Sequence, residues 1–163
     1  MFLRLAVMRH AKSSWTSDAV EDHGRPLAPR GIRDAPRIAR RLDELGWSPD
    51  EVVCSDAERT RQTWAEMAPH LPVAGQVRFS HRLYLAGVAE LRTEVALVDG
   101  AARCLLVLGH NPGWEEVVEH LSGEVIQMTT GNVVLLRREA APWASALDAD
   151  SWALVDILRP REL

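Results

Sequence analysis

The sequence is poor in several features that mark specialised classes of protein. Of its 163 residues only two are cysteine and one is lysine. Two cysteines cannot form a disulfide framework, and Cys54 and Cys104 both lie in apolar runs that favour buried thiols. No apolar run approaches the roughly 18 residues of a membrane span. Arg4 and Arg9 interrupt the N-terminal apolar stretch, so no secretory signal peptide is expected and the cytoplasm is the default location.

An excess of positive charge is also missing. Nineteen Lys plus Arg against 23 Asp plus Glu give a net charge of −4. Broad binding to nucleic acid or to an anionic membrane needs a basic surface, so neither is expected as a partner. The acidic excess lies in residues 66–163, whereas residues 1–65 carry eleven basic and ten acidic groups. Arg9, Arg25 and Arg59 lie in that nearly neutral part, so we expect positive potential only in one small pocket.

What is present is the composition of an ordinary globular domain, with 47% apolar and 26% charged residues. A chain of this length is expected to form one domain, residues 1–163. Such a domain buries roughly 68–70% of the surface that its unfolded chain exposes. It therefore needs neither a disulfide nor a metal to fold.

Apolar periodicity predicts strands that alternate with helices. The strands are predicted at 2–8, 51–54, 76–79, 103–108, 132–137 and 152–158, and the helices at 31–45, 58–68, 88–98 and from Pro112 to about Leu121. Pro36 is expected near the first turn of the first helix. This alternation predicts a single three-layer α/β domain whose mostly parallel central sheet carries helices on both faces. The last two strands lack an intervening helix, so an antiparallel edge is expected there.

Polar residues come directly after three of these strands, where ligands of open α/β sheets bind. Arg9 and His10 follow the first strand, and His110 follows the clearest buried strand. Ser55 follows the second strand, and Arg59 lies four residues further on. Guanidinium groups match phosphoryl oxygens, and neutral imidazole can attack phosphorus. Two guanidinium charges should disfavour protonation of His10, and His110 could stabilise charge on the phosphoryl oxygens. The pattern favours covalent phosphoryl transfer, and a non-catalytic phosphate-binding module is the alternative from another class.

Six sequence blocks then resemble a known family. They are MRHAKSSW (8–15), DHGRPLAPRG (22–31), SDAERTRQT (55–63), HRLYLA (81–86), LGHNPGWE (108–115) and MTTGNVVLL (128–136). The blocks are similar to the histidine phosphatase, or phosphoglycerate mutase-like, superfamily, and within it to the SixA-like phosphohistidine phosphatases. The resemblance implies a phosphoglycerate mutase-like fold.

The resemblance also implies roles for the four residues at the strand ends. His10 would be the nucleophile that becomes transiently phosphorylated. Arg9 and Arg59 would hold the phosphoryl oxygens, and His110 would complete the pocket. No metal or other cofactor is expected, since the histidines show no zinc-type spacing with one another or with the cysteines.

Three further residues bear on the same pocket. Arg25, from the RPL segment, is expected to line it by resemblance. Lys12 is a candidate for substrate binding because it lies inside the first motif, although a solvated loop residue is the alternative. The sequence departs from the family pattern where RHA replaces RHG and SDA replaces SSP. The second change puts the Asp56 carboxylate near the predicted anion pocket, and an outward-pointing side chain is the alternative.

The identity of the substrate depends on a proton donor. Hydrolysis of a phosphate ester expels an alkoxide, which a positioned acid should protonate. The segment HRLYLAGVAELRTE offers no obvious acid, and Glu90 and Glu94 are expected on a solvated helix face. A phosphohistidine expels neutral imidazole, so the sequence favours a phosphatase that removes phosphate from phosphohistidine on a phosphorylated protein. The alternative is a phosphatase of small-molecule phosphate monoesters with Glu90, Glu94 or Asp22 as the acid.

Overall fold

A computed structural model describes residues 1–19 and 21–163. Within them, six strands form one sheet: β1 (Phe2–Arg9), β2 (Glu51–Ser55), β3 (Val77–Ser80), β4 (Cys104–Gly109), β5 (Val133–Glu139) and β6 (Ala153–Leu158). The α-helices of the same residues are α1 (Pro29–Glu44), α2 (Glu58–Met67), α3 (Val88–Val95) and α4 (Gly113–Ser122). Two short 3-10 segments, Asp22–Gly24 and His81–Leu83, lie before α1 and after β3.

The sheet has the strand order β3-β2-β4-β1-β5-β6. The pairs β1–β4, β2–β4 and β2–β3 are parallel, whereas β5 is antiparallel to both β1 and β6. The mostly parallel sheet with an antiparallel edge is therefore confirmed. Because parallel strands end at one edge of a sheet, the residues that come after β1, β2, β3 and β4 all emerge there.

Apolar side chains cover both faces of the sheet because successive residues of a strand point to opposite sides. Val7 of β1 belongs to one buried cluster together with Leu91 of α3 and Trp114 of α4. Met8 belongs to a second cluster on the other face, together with Ile38 of α1. Helices therefore pack on both faces, which is the predicted three-layer arrangement.

The first helix begins earlier than the periodicity predicts. It starts at Pro29, because proline suits the first position of a helix, and Pro36 consequently lies inside α1. The expectation that Pro36 belongs near the first turn is wrong. The start of α1 packs against the chain that leaves β1. A Cβ atom on Gly31 would lie 2.3 Å from the Lys12 carbonyl oxygen, so only glycine permits this approach.

Among the described residues, no helix has the length and apolar character needed to cross a membrane. Both cysteines are buried and free, in agreement with the sequence.

Candidate active site

The four residues predicted at the strand ends lie together at the carboxyl edge of the sheet. Arg9 is the last residue of β1 and pairs in register with Gly109 of β4, so His10 and His110 emerge side by side. The His10 backbone N–H donates to the Gly109 carbonyl over 3.0 Å, and the two imidazole centroids are 5.4 Å apart. Arg59 lies in the first turn of α2, the helix next in sequence after β2.

The His10 side chain is buried and held in one orientation. Its Nδ1 lies 2.7 Å from the Ala11 carbonyl oxygen. A carbonyl only accepts hydrogen bonds, so Nδ1 carries the proton and Nε2 keeps its lone pair. Burial lowers the pKa of His10 to about 4, and the charges of Arg59 and Arg9 act in the same direction. The hydrogen bond to Ala11 acts in the opposite direction and raises the pKa. The expected guanidinium effect is present, but burial is the larger cause.

Both arginines are held by hydrogen bonds and keep one buried N–H group without a partner among the described residues. The Arg9 Nη1 donates to the Met128 carbonyl over 2.9 Å. The Arg59 side chain is 3% exposed and donates from Nη1 to the Asp22 carbonyl over 2.8 Å and from Nη2 to the Asp22 carboxylate over 3.0 Å. The Nε atoms of Arg9 and Arg59 are buried and have no hydrogen-bond partner among the described residues. Unpaired buried donors are rare, and guanidinium N–H groups suit phosphoryl oxygens.

His110 completes this group as a neutral imidazole. Its Nε2 lies 2.7 Å from the Ser55 hydroxyl at the end of β2. Burial, followed by the Arg59 charge, lowers the pKa of His110 to about 3. Its Nδ1 is buried and has no partner among the described residues. His110 can therefore act toward an anion as a neutral hydrogen-bonding group.

Comparison with known proteins decides the family. The model of the histidine phosphatase superfamily (branch 1) matches residues 5–84. A structure from Nakamurella multipartitia, named as a candidate phosphohistidine phosphatase SixA, is 35% identical. The match covers 98% of this chain and 97% of that one with a TM-score of 0.82. The chain belongs to the histidine phosphatase superfamily.

Two further proteins are similar to this chain. An uncharacterized chloroplastic protein of Arabidopsis thaliana is 32% identical over 96% of this chain and 78% of its own length. The structure of a protein histidine phosphatase SixA shares the fold with a TM-score of 0.83, at 21% identity, over 98% of this chain and 99% of that one. The phosphoglycerate mutase-like fold predicted from the sequence is confirmed, and the family supports assignment as a phosphatase.

The Arg25 side chain lies beside the four residues of the candidate site, whereas no hydrogen bond or ion pair among the described residues holds the Lys12 side chain there. The Arg25 Nη1 donates to the Ser13 hydroxyl over 2.9 Å, and its guanidinium lies 3.6 Å from the centre of the Trp15 ring. Its charge is one of those that lower the pKa of His10. The Lys12 ammonium has no hydrogen bond or ion pair within residues 1–19 and 21–163, so its role in substrate binding stays a prediction.

Sequence reasoning missed Tyr84, and it considered Asp22 only as a candidate acid. The Asp22 carboxylate accepts hydrogen bonds from Tyr84, Arg25 and Arg59. The Tyr84 hydroxyl above all, with the two guanidinium groups, holds the pKa of Asp22 well below its usual range. The Tyr84 ring also meets the His110 ring edge-on at 5.5 Å. The signal for Tyr84 is its place shortly after β3, which ends at Ser80 on the same edge of the sheet.

The structure gives two acidic residues partners that the sequence does not indicate. The Asp56 carboxylate lies beside two histidines, 2.8 Å from His23 Nε2 and 3.1 Å from His81 Nδ1. Glu94 is buried rather than solvated, and it accepts hydrogen bonds from Arg78 and from Ser80. The expectation for Glu94 is wrong because the helical face that carries Leu91 inward also carries the residue three positions later.

The expectation of a single positive pocket is also wrong. A separate cavity of about 430 Å³ is lined by Arg30, Arg33 and Arg37 of α1 and by Arg161, with Asp34 as an acidic member. Helical spacing places the three arginines of α1 on one face, which the net charge of the whole chain does not reveal.

Proposed function

We propose that this histidine phosphatase removes phosphate from phosphohistidine side chains of proteins through a covalent intermediate on His10. The observation that carries the proposal is a buried, neutral imidazole whose Nε2 is free, beside unpartnered N–H groups of Arg9 and Arg59. The name of the Nakamurella multipartitia relative, a candidate phosphohistidine phosphatase at 35% identity, supports the same substrate.

The reaction takes place in two displacements at phosphorus. The lone pair of His10 Nε2 attacks the phosphorus atom, and the P–N bond to the substrate breaks with its electron pair moving to the substrate nitrogen. The other ring nitrogen of the substrate already carries a proton, so neutral imidazole departs. His10 is then a phosphorylated imidazolium whose Nδ1–H donates to the Ala11 carbonyl. Water attacks phosphorus in the second step, the P–Nε2 bond breaks, and the proton of the water leaves with phosphate or solvent.

Arg9, Arg59 and His110 act on the oxygens of the transferred group. Guanidinium groups held in a buried site stabilise the charge that spreads over these oxygens without reorganising during the reaction. The Ser55 hydroxyl fixes His110 on one side, and the Met128 carbonyl fixes Arg9 on the other. Lys12 and Arg25 are assigned to substrate binding outside this group.

A phosphohistidine substrate suits the acids that the structure places here. The Asp22 carboxyl is ionised at neutral pH because of its lowered pKa, so it accepts hydrogen bonds rather than donating a proton. Glu94 is committed to a buried ion pair with Arg78. Neither carboxyl is therefore ready to protonate an alkoxide, whereas a departing imidazole needs no such donor.

The proposal is tested by trapping the phosphoenzyme with competing donors. A phosphohistidine peptide and p-nitrophenyl phosphate are offered together, one of them labelled with ³²P, and the reaction is quenched in alkaline detergent. We expect label on the wild-type protein that acid removes, and faster labelling from the peptide. The His10→Gln variant should take up no label, and the His70→Gln variant should behave as wild type because His70 lies outside the site.

Each other outcome corrects a specific part of the proposal. Faster labelling from the ester would favour a phosphatase of small-molecule monoesters. Binding of phosphate without any phosphoenzyme would favour a non-catalytic module. Label on the His10→Gln variant would remove His10 as the nucleophile. The cytoplasmic location stays a prediction from the sequence.

A further inference from the structure

Two histidines and one aspartate converge on one point outside the phosphoryl pocket, which is the group formed by Arg9, His10, Arg59 and His110. His23 lies in the segment Asp22–Gly24, Asp56 lies between β2 and α2, and His81 begins the segment after β3. Each of the three offers a ligand atom, and these atoms all lie within 4.8 Å of one another. The fold thus joins donors that are 33 and 25 residues apart in sequence.

We propose that His23, Asp56 and His81 form a binding site for a divalent zinc ion. Imidazole nitrogen and carboxylate oxygen are common zinc ligands, at about 2.0–2.2 Å from the metal. Two such atoms on one tetrahedral ion lie about 3.3 Å apart. The Asp56 carboxylate is 2.8 Å from His23 Nε2 and 3.1 Å from His81 Nδ1, so an ion needs the carboxylate to move away from each imidazole by only a few tenths of an ångström. The two imidazole nitrogens lie within 4.8 Å of each other.

The surroundings of the three side chains favour a cation. Among the described residues, the ion pairs of the Asp56 carboxylate are with these two histidines and not with any arginine or lysine. The His23 and His81 side chains are 34% and 75% exposed, so an ion can reach them from solvent. Three protein ligands leave the fourth position of a tetrahedral zinc for water or an anion.

The Tyr84 ring separates this site from the phosphoryl pocket. Its centroid lies 4.8 Å from that of His23, 5.8 Å from that of His81 and 5.5 Å from that of His110. A bound ion would therefore join the chain before α1 to the ends of β2 and β3 at the rim of the pocket. This property is separate from the proposed phosphatase reaction, in which no step uses the ion.

The test measures metal binding on the full-length protein without an affinity tag. Calorimetric titration with zinc chloride should show one site, and cobalt chloride should give the visible absorption of a Co²⁺ ion with few ligands. His23→Gln, Asp56→Asn and His81→Gln should each weaken zinc binding by at least about tenfold, since even loss of an outer-shell partner costs 10–100-fold. His70→Gln is the control, because it also removes one histidine but leaves the three proposed ligands intact. This variant should bind zinc as tightly as wild type.

His81→Gln makes the test decisive. Its side chain is largely exposed, so this variant should keep the melting temperature and the far-ultraviolet circular dichroism of the wild type. A folded His81→Gln protein that binds zinc as tightly as wild type would overturn the proposal. Equal weakening in His70→Gln would do the same, because binding would then not depend on the cluster. Neither outcome changes the phosphoenzyme experiment.

Discussion

The imidazole of His10 should stay neutral in mildly acidic solution, and this property can be measured directly. Burial lowers its pKa from the ordinary 6.5 to about 4. At about pH 5 a group of pKa 4 is roughly 90% neutral, whereas an ordinary histidine is roughly 3% neutral. Nuclear magnetic resonance of the protein with labelled histidine, assigned with the His10→Gln variant, should show no titration of His10 above about pH 5. A titration midpoint at about pH 6 or higher would show that the pKa of His10 is not lowered and would refute the argument from burial.

The same shift makes stability depend on pH. Because the pKa of His10 is lower in the folded chain, the unfolded chain binds more protons as pH falls from about 6.5 toward 4, and the folded state loses stability over that range. Between about pH 7 and pH 5 the loss from His10 amounts to about 2 kcal/mol. Urea unfolding at the two pH values should therefore show a drop that is about 2 kcal/mol smaller in His10→Gln than in wild type or His70→Gln. An equal drop in all three proteins would contradict the linkage.

Three further substitutions test other parts of the structure. Gly113→Ala would place a Cβ atom 1.7 Å from the Ala86 carbonyl oxygen. The free energy of unfolding, measured with urea, should therefore fall by about 1–3 kcal/mol. Gly100→Ala is the control, because its Cβ atom meets no atom within 4 Å, and its stability should stay near that of wild type. Glu94→Gln should cost on the order of 3 kcal/mol by the same measurement, because it leaves Arg78 without its buried partner; little change would mean that Arg78 finds water instead. Tyr84→Phe removes the main hydrogen bond to Asp22, so the pKa of the Asp22 carboxyl should rise in a carbon-detected titration.

The sequence predicts the sheet well because its strands are buried runs that turn abruptly polar. β1 and β4 are the clearest of these runs, and the two histidines of the pocket, His10 and His110, follow them directly. Arg59 could be placed for the same reason, since it lies in the first turn after β2. The periodicity of α1 did not reveal its start, because Pro29 and Arg30 extend the helix beyond the apolar pattern.

Pairing between distant segments is the part of the structure that the sequence could not provide. The ion pair of Asp22 with Arg59 joins residues 37 positions apart, and the contact of Asp56 with His81 joins residues 25 positions apart. A spacing rule for metal ligands examines neighbours in the chain, so it does not detect donors that three separate segments bring together. The burial of Glu94 escaped for a related reason, since its partner Arg78 lies on a strand of weak apolar pattern.

The position of β1 inside the sheet governs when the enzyme becomes competent during synthesis. His10 directly follows β1, but both strands that flank β1 come from the later chain, β4 at Cys104–Gly109 and β5 at Val133–Glu139. Contacts this distant form late and fold slowly. A nascent chain on the ribosome therefore cannot assemble the candidate site around His10 before β5 has been translated.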